Sequence, residues 1–411
     1  MKKKTLGLLI NFNSLEHHLH VHEYLFKKIS ESFDKFILIN SSELEFILFK
    51  KSFFAWDRMI ESEEKINQLD LQKIKNYLPN NFEIFEPKDN KSFNKFVKDK
   101  DLIIISSIGR TFSEYNIYYL LKKNNIKQIQ ISNIANNEKE WVFINFFSKI
   151  KFLIGKRLPH KIIAFLSIIN FIQKIDIRFE SNMKIINWWK NNNLKRKLIN
   201  FSSIKEIIPV NNRTFDFFKT NKMDISEDFI VLIDANVNHK EDLVLRGKID
   251  KDIEKDHYEN LNKFLDKLSK AYNKKVVVCI HPQYDLELIK SYFSSYEVIK
   301  YKTRENICKA FIVLFFDSTV IMDAYFLNKK IISLQPDANV KWSDTEKYFK
   351  DFDTVNLNIH EHENIDTNKL LIDLDNAKKS YHKFVNTYVK VDNENIGVDK
   401  IIKIIKEKYL N

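Results

Sequence analysis

Glycine is nearly missing from this chain: five residues in 411, where average usage of about 7% would supply several times as many. The scarcity excludes a Walker-type phosphate loop and a GxGxxG turn, and with them glycine-loop ATPases, kinases and dinucleotide enzymes. Any phosphate must be held by helix ends and side chains. Cysteine is almost as rare. Cys279 and Cys308 are too few for a disulfide framework and suit a reducing compartment. Cys279 lies inside an apolar run and reads as a small core hydrophobe. Long hydrophobic runs are absent too. The uncharged stretch from Ile162 to Gln173 falls short of the ~18 residues of a membrane span. The amino-terminal MKKKTLGLLINFN lacks the apolar length and small-residue cleavage site of a signal peptide, and reads as a first strand.

What is present is a large, basic, apolar-rich chain. Its length exceeds the size at which one core keeps growing, so two domains of about 200 residues each are expected. A net charge of +12 favours an anionic partner. The basic residues are spread along the chain, with no arginine-rich arm, zinc-finger spacing or ribonucleoprotein-type aromatic motif, which argues against nucleic acid. Apolar runs alternate with helical patterns over the first ~135 residues: Thr5–Ile10, Phe36–Asn40, Phe82–Phe85, Asp101–Ser106 and Lys127–Ser132 read as strands of an open parallel sheet. Residues 141–200 interrupt that rhythm and read as an apolar helical insertion, packed internally or lying in a membrane interface. Residues 202–221 read as the crossover, with Ile207-Ile208-Pro209-Val210 as a short extended segment, to a second α/β domain that opens near Asp228. The domains expected are therefore 1–215, 225–390, and a basic amphipathic helix in 391–411 that packs back on the first.

The most informative stretch runs from Lys274 to Leu334. It holds two buried strands, Val276–Ile280 and Phe311–Phe316. The first stops at His281-Pro282 and the second at Asp317-Ser318-Thr319. After the second stop, Val320, Ile321, Ala324 and Leu327 share a helical face. Polar groups at the carboxyl ends of adjacent parallel strands are where open α/β sheets bind ligands. A phosphorylated ligand is the expected occupant. As alternatives, His281-Pro282 simply ends a strand, and Asp317, Ser318 or Thr319 serves as an ordinary helix cap.

Two Rossmann-like halves with a phosphate-type site in the second resemble the GT-B fold of nucleotide-sugar-dependent glycosyltransferases. His281-Pro282 and Ser318-Thr319 look like the HP and serine motifs of bacterial sialyltransferases and polysialyltransferases. Capsule Kdo transferases and CDP-glycerol glycerophosphotransferases show a similar pattern. The resemblance implies that His281, Pro282, Asp317, Ser318 and Thr319 line a cytidine-nucleotide site. It implies transfer from a CMP-activated acidic sugar, such as Kdo or a nonulosonic acid, to a glycan or glycolipid acceptor of lipopolysaccharide or capsule. The implied setting is cytoplasmic, with peripheral contact at the inner membrane and neither metal nor cofactor. The acidic D/E-D-G motif of such sialyltransferases is missing, since Leu243 follows Glu241-Asp242. Asp234 and His239, in the loop after the second domain's first strand, are then the candidates for general base. A CDP-polyol phosphotransferase and a non-catalytic GT-B-like assembly protein remain alternatives.

Glu16-His17-His18-Leu19-His20-Val21-His22 places His18 and His22 four residues apart, a zinc-like spacing, but with no further ligand set. At the first βα turn, His18 and His20 are expected to line the acceptor cleft or to lie on a helix surface. Trp188-Trp189 beside Lys190 is suited to sugar stacking, headgroup anchoring or plain packing.

Overall fold

The computed structural model describes residues 4–10, 23–33, 35–40, 44, 82–98, 100–106, 115–132, 173–191, 204–234, 251–280, 285–316, 318–335 and 354–409. The chain divides into two compact units, Met1–Asp216 with Lys390–Asn411, and Phe217–Val389.

The first unit is built on strands β1 (Lys4–Ile10), β2 (Phe36–Asn40), β3 (Phe82–Phe85), β4 (Asp101–Ser106), β5 (Lys127–Ile131), β6 (Ile175–Glu180) and β7 (Ile204–Pro209). They pair in parallel in the order β3-β2-β1-β4-β5-β6-β7. Helices α1 (Glu23–Ser32), α2 (Asn90–Val97), α3 (Tyr115–Lys123), α4 (Met183–Asn191) and the start of α5 (Arg213–Thr220) connect or follow them. Successive strand residues face opposite sides of a sheet, and the burial follows that rule. Phe36, Leu38, Ile103 and Ile105 join Leu25, Phe26 and Ile29 of α1 in one core. Ile37, Ile39, Leu102 and Ile104 join Phe93, Ile117, Tyr118 and Leu121 in another. Both faces are covered, as a parallel sheet requires.

The same unit takes in the end of the chain. In the last helix, written α12 below (Gly397–Tyr409), Val398, Ile401, Ile402 and Ile405 recur at the i, i+3, i+4, i+7 spacing of one helical face. All four are buried in the α1-side core, each worth roughly 1.5–3 kcal/mol relative to exposure. Gly397 is required at its start, because a Cβ there would lie 2.1 Å from the Asn211 carbonyl oxygen.

Two segments differ from the sequence expectation. Residues 173–191, inside the supposed helical insertion 141–200, supply an inner strand, β6, and then α4. In the crossover at 202–221, the short extended segment expected at 207–210 is part of a longer edge strand, β7. The rest of the insertion lies outside the described residues. Trp188 and Trp189 are half-buried on α4 against Ile185, Ile186 and Ile207.

The second unit carries β8 (Phe229–Asp234), β9 (Lys275–Ile280), β10 (Glu297–Lys300), β11 (Ala310–Phe315), β12 (Lys330–Gln335) and β13 (Val355–Asn358). All are parallel, in the order β10-β9-β8-β11-β12-β13. Its helices are α6 (Lys251–Tyr272), α7 (Leu286–Tyr292), α8 (Thr303–Cys308), α9 (Ile321–Phe326), α10 (Thr367–Lys378) and α11 (Tyr381–Phe384). Leu261, Phe264, Leu265 and Leu268 of α6 pack on Ile230, Leu232, Val278 and Leu314. Among the described residues no helix is long and apolar enough to cross a membrane.

Left-handed backbone outside glycine occurs, among the described residues, at Asn125, Asn273, Asn328 and Tyr301. The three asparagines follow α3, α6 and α9 and turn the chain into β5, β9 and β12. Asparagine tolerates this conformation better than other residues that carry a Cβ, so it does here what glycine does in glycine-rich chains. Tyr301, with φ of 70°, is at the opposite end of a strand. A bulky side chain in this conformation costs roughly 1–2 kcal/mol.

Candidate functional site

In the second unit β8 comes first in the chain, yet β9 and β10 lie on one side of it and β11, β12 and β13 on the other. The order therefore reverses between β8 and β11. The crevice outside the carboxyl ends of strands at such a switch point is where open parallel sheets take their ligands. Three chain positions named by the sequence fall on this edge. Asp234 is the last residue of β8, level with Ile280 of β9. His281 follows β9 directly. Ser318 and Thr319 lie between β11 and α9.

One sequence expectation needs correction. The strands that lead to His281 and to Ser318 are not adjacent, because β8 pairs with both and separates them. Two inter-strand spacings, about 10 Å, divide their tips. A ligand that reaches both must span the tip of β8, and hence Asp234. His281, Pro282, Asp317, His239, His18 and His20 lie outside the described residues, and Asp234 is described in its backbone alone.

Ser318 is half-buried and Thr319 exposed. The Val320 N–H donates to Ser318 Oγ at 3.4 Å. The amides of Ile321 and Met322 donate to the Ser318 and Thr319 carbonyls at 3.3 Å. This tight turn commits local donors to the chain itself, and leads into α9, whose residues Ile321, Met322, Asp323, Ala324 and Tyr325 are buried. A buried ion pair fixes α9 in place. Arg304 Nε of α8 donates to Asp323 Oδ2 at 2.7 Å, with the Asp323 side chain 1% exposed. The Arg304 guanidinium also lies 4.5 Å from the centre of the Phe217 ring. Removing one partner of such a pair leaves an uncompensated buried charge, so the turn bearing Ser318 is rigidly supported.

Behind the β11 tip, His257 of α6 is buried and its ring lies 5.4 Å from that of Phe316. Burial pushes the Cys279 thiol up to about 12 and the Cys308 thiol up to about 11. Neither is a thiolate nucleophile at neutral pH. Among the described residues, no group of three or more His, Cys, Asp or Glu side chains is placed to hold a metal ion.

Tyr301 was not anticipated. It follows Lys300, which is level with Ile280, so its chain position is beside that of His281 on the same edge. Its side is exposed at 38%. The residue types around it, Lys300, Lys302 and Arg304, are basic, a signal that reads in sequence as surface charge alone.

No family model matches the chain, and no curated protein is found to be similar to it. Solved structures do match along its whole length. The co-structure of S. aureus MnaA with UDP is 13% identical, covers 100% of this chain and 97% of that one, and has a TM-score of 0.54. A UDP-N-acetylglucosamine 2-epimerase described for Listeria monocytogenes is 11% identical, with 100% and 98% covered and a TM-score of 0.53. The wall teichoic acid polymerase TagF, soaked with CDPG, is 13% identical, with 98% and 88% covered and a TM-score of 0.53. With its two Rossmann-like parallel sheets, the chain has the GT-B fold.

Proposed function

We propose that this chain is a nucleotide-sugar-dependent glycosyltransferase of surface-polymer assembly, with its donor nucleotide held by the second unit. The observation that carries the reading is the switch point between β8 and β11, flanked by Asp234 and the Ser318-Thr319 turn. Two structural neighbours contain pyrimidine nucleotides, UDP in one and CDPG in another, which supports a nucleotide on this edge. A CMP-activated acidic sugar is the donor we favour, on the resemblance of His281-Pro282 and Ser318-Thr319 to the sialyltransferase motifs. The acceptor is a glycan or glycolipid bound through the first unit, with His18 and His20 as its contacts. The enzyme works in the cytoplasm, peripheral to the inner membrane.

Breaking a sugar–phosphate bond develops negative charge on the leaving phosphate, and pre-placed donors lower that barrier most. In this reading His281 and the Ser318 and Thr319 hydroxyls supply them. An imidazole, ordinarily near a pKa of ~6.5, gains a proton beside a phosphate. With those donors the transfer requires no metal. Asp234 or His239 takes the proton from the acceptor hydroxyl. The likeness to TagF favours a second reading, attack at phosphorus by a CDP-polyol phosphotransferase, which leaves a phosphodiester in the product.

A thermal-shift panel of CMP, CDP, UDP, GDP and ADP tests the site, because a ligand that binds only the folded state raises its apparent stability. Cytidine nucleotides are expected to shift the wild type and not His281→Ala. A response to guanosine or adenosine nucleotides alone overturns the donor assignment. Release of free CMP from a CMP-sugar then separates transfer from epimerisation, in which the nucleotide stays on the sugar.

A further inference from the structure

We propose that Tyr301 is the platform on which the nucleobase of the bound nucleotide stacks, an inference that rests on the nucleotide reading of the second unit. Three observations on different atoms carry it. The first is conformation. Every other described non-glycine residue with a positive φ is an asparagine, and the fold needs nothing larger at a left-handed position. Strained residues persist where the surrounding structure over-determines them, and they cluster at ligand sites.

The second observation is place. Among the described residues the other exposed large apolar side chains are Tyr119, Leu288 and Ile372 on helices and Ile225 outside helix and strand. Tyr301 alone among these stands at the carboxyl end of a strand, one strand over from the tip that leads to His281. The third is anchorage. Two residues on, Thr303 begins α8, which packs against β9, the strand that ends one residue before His281. One residue further, Arg304 binds Asp323 at 2.7 Å, five residues after Ser318. The Tyr301 segment is thus tied to both flanks of the proposed phosphate site.

A tyrosine ring offers a π-face to any base, and stacking on it is tolerant of base identity. Lys300 Nζ lies 5.6 Å from the ring centre and Lys302 is exposed one residue beyond. These cations favour a phosphorylated ligand over a neutral aromatic one. The base then lies on the β10 side of the site and the phosphates extend across β9 and β8 towards Ser318.

The test is titration calorimetry on the full chain with CMP, UDP and the baseless analogue ribose 5-phosphate, together with thermal unfolding. Tyr301→Asn is expected to weaken CMP or UDP by about 5- to 150-fold, the range for losing one base–aromatic stack. It is expected to leave ribose 5-phosphate binding unchanged and to melt no lower than wild type, since asparagine suits the backbone. Tyr301→Phe is expected to bind as wild type does. Unchanged nucleotide affinity in Tyr301→Asn overturns this inference and leaves the site reading intact. Equal losses for nucleotide and ribose 5-phosphate overturn it as well, because they mark a structural role. A wild type that binds neither CMP nor UDP overturns both.

Discussion

The two units share the strand order in which the first strand of each lies inside the sheet, yet the described parts of their carboxyl edges differ. In the first unit the ends of β6 and β7 are filled from within. Glu180 is fully buried, takes Arg178 Nη2 at 2.6 Å, and accepts the Ser181 and Asn182 amides at 3.1 and 3.0 Å. Asn211 receives the Val391 and Asp392 amides and donates to the Asn395 carbonyl at 2.7 Å. Asp216 accepts the Gly397 and Val398 amides at 2.6 and 2.9 Å, so a side-chain carboxylate occupies the anion-seeking start of α12. In the second unit the corresponding edge carries Ser318, Thr319, Lys302 and a strained tyrosine, all partly or fully exposed. One topology thus closes on its own chain at one edge and leaves polar and aromatic groups exposed at another.

The sharpest way to break the internal closure is Gly397→Ala. The new methyl meets a backbone carbonyl at 2.1 Å, which cannot swing aside as a side-chain tip does. A loss of about 3 kcal/mol is expected, the upper range for overpacking. Faster amide exchange through α12 would accompany it. Unchanged melting and exchange would mean that Asn211 and α12 do not meet as described.

A pH titration probes the same contact more finely. Burial pushes the Asp216 carboxyl up from 3.8 to about 6, against the lowering effect of the Gly397 and Val398 amides. The folded state therefore holds a proton that the unfolded chain has released between those values. Stability contributed here is fully present below pH 3.8, falls as pH rises from there through about 6, and is flat above. The size is on the order of 3 kcal/mol at about 1.4 kcal/mol per pKa unit. Denaturant unfolding of wild type and Asp216→Asn from pH 3.5 to 7 should give a difference curve that falls over that window. A level difference curve would remove Asp216 as the titrating group.

The contrast also explains what the sequence could convey. Strands buried on both faces read as unbroken apolar runs, so VVVCI, AFIVLF and LIII were legible. The strand β6 was not, and β7 was legible only from Ile207 on, because they carry Asp176, Arg178, Glu180, Lys205 and Glu206. Each charge has a partner: Lys205 of β7 meets Asp176 of β6 at 2.5 Å, Arg178 meets Glu180 within β6 at 2.6 Å, and Lys408 of α12 pairs with Glu206. Charged residues with such partners interrupt the apolar run that marks a buried strand. The short β13, VNLN, lies at a sheet edge, where it is only partly buried and carries no apolar run. At the candidate site, the polar stops after β9 and β11 were legible as chemistry. Their separation by β8 was not, since strand order is set by packing over long chain distances. Tyr301 gave no warning, because left-handed backbone is announced by glycine or asparagine and neither stands there.

The smallest expected effect sharpens the comparison at the first unit's own switch point, between β1 and β4. Ser106 ends β4 with its side chain 1% exposed, and its hydroxyl has no hydrogen-bond partner among the described residues. A buried hydroxyl left in that state is a desolvation cost, and an apolar replacement of similar shape removes it. Ser106→Ala should therefore raise stability by up to about 1 kcal/mol, read as a higher denaturation midpoint at unchanged m-value. The position repeats, in the first sheet, that of Phe315 at the end of β11 in the second: Ser106 is level with Leu9 of β1 as Phe315 is with Ile233 of β8. A loss of stability in Ser106→Ala would show that this tip, too, is satisfied from within the fold, and would extend the internal closure of β6 and β7 to the whole carboxyl edge of the first sheet.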